Sequence, residues 1–109
     1  MEINEYQKQA MKSLNPSLSN DEVLLNGVMG LCGESGEVID ILKKHLSQGH
    51  ELNKDKMIEE LGDVAWYLAE TAYALGVDLD TVLINNLVKL QIRYPEGFDV
   101  DKSINRSDE

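Results

Sequence analysis

Two acid pairs, Glu34 with Glu37 and Glu60 with Asp63, are the residues of this chain best suited to chemistry. Each pair is spaced i,i+3, so on a helix its two carboxylates lie on one face and can converge on one point. At about 100° per residue, Glu34 and Glu37 share an arc with Leu31, Val38 and Ile41, and Glu60 and Asp63 share one with Met57, Val64 and Tyr67. Acids ordinarily occupy the solvated face opposite the apolar stripe. Here they fall inside it. Taking an ionised carboxylate out of water costs on the order of several kcal/mol unless it is paired or bound to a metal. No basic residue stands among the four, so they would repel one another without a bound cation. Oxygen donors of this kind suit Mg²⁺ or Mn²⁺. The competing reading is two solvated acid pairs in an acidic chain, and their place in the apolar stripes weighs against it.

The elements that must position these acids are helices. Ile3, Tyr6, Ala10, Met11 and Leu14 follow helical spacing, which predicts a helix over Asn4–Leu14, stopped by Asn15 and Pro16. A second helix starts near Asp21, where Ser19 and Glu22 fit a capping box, and runs to Ser47, with Gly49 as its stop. Gly27, Gly30, Gly33 and Gly36 lie within it at three-residue steps. Each costs about 1 kcal/mol relative to alanine in a helix, so close helix packing, room for a ligand, or a break in the helix must account for them. A third helix spans Lys54–Leu75 and carries the stripe Ile58, Leu61, Ala65, Leu68 and Ala72, with Gly76 closing it. Asp78 or Asp80 caps a fourth, which carries Val82, Leu83, Leu87, Leu90 and Ile92 and ends before Pro95. From about residue 96 a polar, extended or frayed tail is expected. No strand alternation is present, so the chain reads as one all-α, four-helix-bundle-like domain over residues 1–109. The second helix would be about 40 Å long, against a radius of gyration near 13 Å for a chain this size. Long helices of two copies packed together would bury the leftover apolar surface, so a homodimer or homotetramer is expected.

Composition narrows the partners. Twenty acidic residues against ten basic ones give a net charge of −10, which argues against a nucleic-acid surface. An anionic small substrate remains compatible if metal ions stand between it and the acids. Cys32 is the one cysteine, so no intrachain disulfide can form, and a reducing cytoplasm is the simplest setting. Met1–Lys12 lacks a signal-peptide apolar run. No stretch approaches the roughly 20 apolar residues needed to span a membrane.

The run Gly33-Glu34-Ser35-Gly36-Glu37-Val38, followed by Glu59-Glu60-Leu61-Gly62-Asp63-Val64, resembles the MazG-type all-α nucleoside triphosphate pyrophosphohydrolases. A third block, Asn86-Leu87-Val88-Lys89-Leu90 with Arg93-Tyr94-Pro95, extends the resemblance over most of residues 20–98. It implies a Mg²⁺-dependent hydrolase, with Mn²⁺ as a possible substitute, that cuts a nucleoside triphosphate to the monophosphate and pyrophosphate. Glu34, Glu37, Glu60 and Asp63 would be metal ligands, and Glu37, with Glu34 beside it, the candidate for activating water. Lys89 and Arg93 would hold phosphate oxygens with Asn86 nearby, and Tyr67 would face the same site. Many members carry a second acid directly after the position of Glu34. Here Ser35 stands in its place. The alternative from a different class is a non-catalytic helical interaction protein or metal-binding scaffold.

Trp66, beside the second acid pair, could stack on a nucleobase or simply pack. His45 and His50 make no Glu-x-x-His pair, so the usual di-iron bundle motif is missing. Tyr73 is expected to pack, and Cys32 to be a small buried residue.

Overall fold

The start of the longest helix is fixed by two side chains. Ser19 Oγ accepts from Glu22 N at 3.2 Å, and Glu22 Oε1 accepts from Ser19 N at 3.0 Å, completing the expected capping box. Replacing Ser19 with Ala should cost about 1 kcal/mol of stability, read as a lowered midpoint in urea or thermal unfolding. The hydrogen bonds from Ser19 hold the Glu22 carboxyl below its usual pKa. Its contribution is therefore present above the ordinary glutamate pKa and is lost as pH falls through the depressed value. A Glu22→Gln protein, which has no carboxyl to protonate at this cap, should accordingly lose less stability on acidification than the parent.

The computed structural model describes residues 1–106, and over these it is helical, with no strand among the described residues. Helix α1 spans Ile3–Ala10 and tightens into a 3₁₀ turn at Met11–Ser13. Helix α2 spans Asn20–Ser47, α3 Lys54–Ala74, α4 Leu79–Arg93 and α5 Val100–Ile104. Gly49 and Gly76 follow α2 and α3 with φ of 73° and 74°, the left-handed geometry expected of the two stops. None of the described helices is long and apolar enough to cross a membrane.

The chain forms two compact units, Met1–Leu79 and the residues from Asp80 onward. In the first, α2 and α3 run antiparallel in close contact, and α1 packs on α3. The glycines of α2 explain the closeness. A β-carbon at Gly27 would meet Thr71 Oγ1 at 2.5 Å, and one at Gly30 would run into the Tyr67 ring. Gly33 and Gly36 have nothing within 4 Å of that position. Packing therefore accounts for the first two glycines and not for the second two. Small residues are buried along α3, Ala69, Ala72 and Ala74, as is Val23 on α2. Glu70 is also fully buried, and its two carboxylate oxygens each accept from Asn26 Nδ2 at 2.9 Å.

Buried Gln7 ties the unit together. Its Nε2 donates to the carbonyls of Ala69 and Val77, at 3.2 and 3.3 Å, and its Oε1 accepts from Leu79 N at 2.8 Å. The first amide of α4 is thus satisfied by a glutamine from α1. Cys32 is exposed, contrary to expectation. Gly27, Gly30 and Glu34 are among the α2 positions that face α3, and Cys32 lies two residues, about 200° of helix, from Glu34. Tyr73 is half-exposed.

In the second unit, α4 leads through Tyr94 into a turn in which Gly97 N donates to Tyr94 O at 3.1 Å and Gly97 takes φ 93°. The Tyr94 and Phe98 rings meet at 5.6 Å. The region read as extended or frayed contains α5, because Asp99 Oδ1 caps it by accepting from Lys102 N at 3.1 Å. Residues 107–109 of the expected tail lie outside the described residues.

Candidate metal centre

The α2–α3 register determines which acids meet. Gly27 lies against Thr71 and Gly30 against Tyr67. One turn further along α2 and one turn back along α3, Glu34 comes level with Asp63. Carboxylate oxygens of Glu34, Glu60 and Asp63 lie within 4.8 Å of one another. Glu60 is 7% exposed, Glu34 half-buried and Asp63 exposed. Glu37, a turn beyond Glu34, is exposed and lines an adjoining hollow rather than the three-acid cluster.

Crowding of like charges changes the acids' proton affinity. Glu34 hydrogen-bonds to Glu60, and this contact, with partial burial and the charges of Glu60, Asp63 and Glu37, raises the Glu34 pKa above the usual glutamate range. The same hydrogen bond, together with Lys56, holds Glu60 below it. Of the pair, Glu34 is therefore the carboxyl that takes up a proton first as pH falls.

The expectation that no basic residue stands among these acids is corrected by Lys56. Its Nζ lies 3.1 Å from Glu60 Oε1 and 3.6 Å from Glu59 Oε2. The sequence holds the signal, since Lys56 and Glu60 are i,i+4 and share a helix face. A second residue had no such signal. Tyr6 of α1 approaches Asp63, and burial together with the Asp63 charge pushes its hydroxyl pKa up, so it stays protonated. Nothing in the spacing of a remote helix announces that approach.

Two hollows adjoin the acids. One, of about 360 Å³, is lined by Glu34, Asp63, Trp66 and Tyr67. Trp66 is held there by Nε1, which donates to Ala10 O and Ser13 Oγ at 3.1 Å each. Its ring meets the Tyr67 ring edge-on at 5.1 Å. The indole N–H is thus consumed by the end of α1, leaving the ring as an oriented wall. The other hollow, of about 290 Å³, is lined by residues including Glu37, Asp40, Lys44, His50 and Lys56. Lys44 pairs with Asp40 at 3.0 Å, and a ring nitrogen of His45 lies 2.8 Å from His50 O. Asn86, Lys89 and Arg93 belong to the second unit, where their i, i+3, i+7 spacing puts them on one side of α4. The hollow at the acids is lined by first-unit residues.

Comparison with known proteins bears on this site. Residues 25–98, which contain both acid pairs and the α4 polar residues, match the MazG nucleotide pyrophosphohydrolase domain. The chain is also similar to the Gene 37 protein of Mycobacterium phage L5, at 45% identity over 73 residues, 63% of this chain. It spans just under two thirds of that relative, 64% of its length. No solved structure matches the chain.

Proposed function

The chain belongs to the MazG nucleotide pyrophosphohydrolase family, and from that premise we propose that it hydrolyses nucleoside or deoxynucleoside triphosphates to the monophosphate and pyrophosphate with Mg²⁺. The observation that carries this reading is the convergence of Glu34, Glu60 and Asp63, from two helices, to within 4.8 Å beside an open hollow.

The donor set fits the metal. It consists of carboxylate oxygens alone, the hard donors Mg²⁺ and Mn²⁺ prefer. Its charges are crowded enough to raise the Glu34 pKa. We assign Glu34, Glu60 and Asp63 as ligands, with Glu37 completing the set from its neighbouring position. A bound divalent ion would offset the repulsion between acids and polyphosphate and stabilise charge developing on the phosphoryl group.

The chain's own side chains supply the rest. Glu37, with Glu34 beside it, orients and deprotonates the attacking water. Trp66 and Tyr67 offer aromatic faces to the nucleoside in the hollow they line with Glu34 and Asp63. Lys89 and Arg93 hold phosphate oxygens through charge-assisted hydrogen bonds, with Asn86 beside them. The test is pyrophosphate release from a panel of canonical and modified nucleotides, with Mg²⁺ and with EDTA. Metal-dependent release is expected from part of the panel. A folded, metal-binding protein that releases pyrophosphate from none of them would overturn the reading in favour of a scaffold role.

We also propose that the chain acts as a homo-oligomer. Leu25, Met29, Ile39 and Leu46 of α2 and Ile58 and Leu61 of α3 are each more than half exposed, at 52–71%. Replacing Met29 with Glu places a charge on that surface. Light scattering coupled to gel filtration should show the parent above monomer mass and Met29→Glu shifted toward it. A monomeric parent would remove this part of the proposal.

A further inference from the structure

Lys56 is in ion-pair contact with the acid cluster, and its position is built rather than incidental. Asn53 caps α3 by accepting from Lys56 N at 3.0 Å, which fixes the backbone of the first turn. From there the side chain reaches one turn along the helix to Glu60, with Nζ 3.1 Å from Oε1. Lys56 is about half exposed whereas Glu60 is 7% exposed, so the ammonium closes the cluster from its solvent edge. Carboxylate oxygens of Glu34 and Asp63 also lie within 4.8 Å of one of Glu60. One carboxylate therefore serves both the ammonium and the group of acids assigned to the metal.

A divalent ion held by Glu34, Glu60 and Asp63 would sit within a few ångströms of that ammonium. Two cations so close repel, and each draws on the lone pairs of Glu60. We infer that Lys56 is a positioning residue that acts as the resident counter-ion of the cluster: it holds the acids together before metal arrives, and the metal must displace it from Glu60. This rests on the assignment of the three acids as metal ligands. It gives the site a defined exchange, ion pair for metal, instead of four acids repelling one another in the absence of a cation.

The inference has a signature that a merely structural lysine would not produce. Removing the charge should weaken the metal-free protein and tighten metal binding. The experiment is calorimetric titration of the full chain with Mn²⁺ alone, without nucleotide, alongside thermal unfolding in EDTA. Lys56→Gln should bind Mn²⁺ about two- to fivefold more tightly than the parent, the range that the strength of an exposed ion pair corresponds to. It should also unfold at lower temperature in EDTA. Lys56→Arg, which keeps the charge, should bind Mn²⁺ close to the parent value and serves as the folded control. Unchanged or weaker Mn²⁺ binding by Lys56→Gln would overturn the inference while leaving the metal assignment intact. Failure of the parent itself to bind Mn²⁺ would instead overturn the metal assignment, and this inference with it.

Discussion

Replacing Glu60 with Gln should lower turnover by about 10²-fold or more while leaving the protein folded. Losing a group that only orients a metal ligand already costs roughly 10- to 100-fold in affinity or activity, and Glu60 is assigned as a ligand itself. It also stands at the centre of the cluster, receiving Glu34 on one side and Lys56 on the other. Gln retains the volume and one acceptor oxygen but loses the charge. The fold should survive, because the neutral amide removes the repulsion against Glu34 even as it weakens the pair with half-exposed Lys56, which is worth little by itself. Steady-state pyrophosphate release and far-UV circular dichroism on the same preparation check this. Retained turnover would remove Glu60 from the site. Glu37→Gln provides the contrast. Glu37 lies outside the three-acid cluster, so its replacement should lower turnover while Mn²⁺ binding changes less than with Glu60→Gln.

The second large effect concerns α2, where two glycines should respond oppositely to the same substitution. A methyl group at Gly30 would run into the Tyr67 ring, and relieving that contact must move either the ring or the helix. Gly30→Ala should therefore destabilise by roughly 1–3 kcal/mol, the range for overpacking a filled interface. Because Tyr67 also lines the hollow with Glu34 and Asp63, activity should fall too. Gly33 has open space around its missing β-carbon. Gly33→Ala should gain up to about 1 kcal/mol from helix propensity, a rise of several degrees in Tm for a chain of this size. Thermal unfolding of the two variants beside the parent decides it. A stable Gly30→Ala or a destabilised Gly33→Ala would contradict the packing described. If Gly33→Ala gains stability but loses activity, the open glycine serves substrate access, which is the ligand reading of the glycine series.

These variants show what the sequence carried and what it withheld. Helix boundaries came through well, because the signals are local: the Ser19–Glu22 capping box, Gly49 and Gly76 are all read from neighbours in the chain. The three-residue glycine step was visible too, but its meaning divides at a point fixed by what α3 presents opposite each glycine, Thr71 and Tyr67 for the first two and open space for the others. That is tertiary information. The acid pairs were legible from spacing and stripe position, yet periodicity treated the four as equivalent. The crossing of α2 on α3 buries Glu60 and leaves Glu37 and Asp63 exposed. Lys56 was within reach of sequence reasoning, which tallied charges on the acids' arc and overlooked the i,i+4 neighbour one turn before Glu60. Tyr6 and the anchoring of Trp66 by Ala10 and Ser13 depend on where α1 packs, and no local pattern encodes that. The exposure of Cys32 has the same origin, since its surroundings follow from the face α2 turns to α3.

In the proposed reaction the acid cluster uses a divalent ion to break the bond between the α and β phosphates. Phosphorus NMR of the products formed from a triphosphate that the protein consumes tests it most directly, run with Mg²⁺ and again with excess EDTA. Equal amounts of nucleoside monophosphate and pyrophosphate are expected with Mg²⁺, and no products with EDTA. Nucleoside diphosphate with inorganic phosphate, or cleavage that continues undiminished in EDTA, would contradict the proposed reaction.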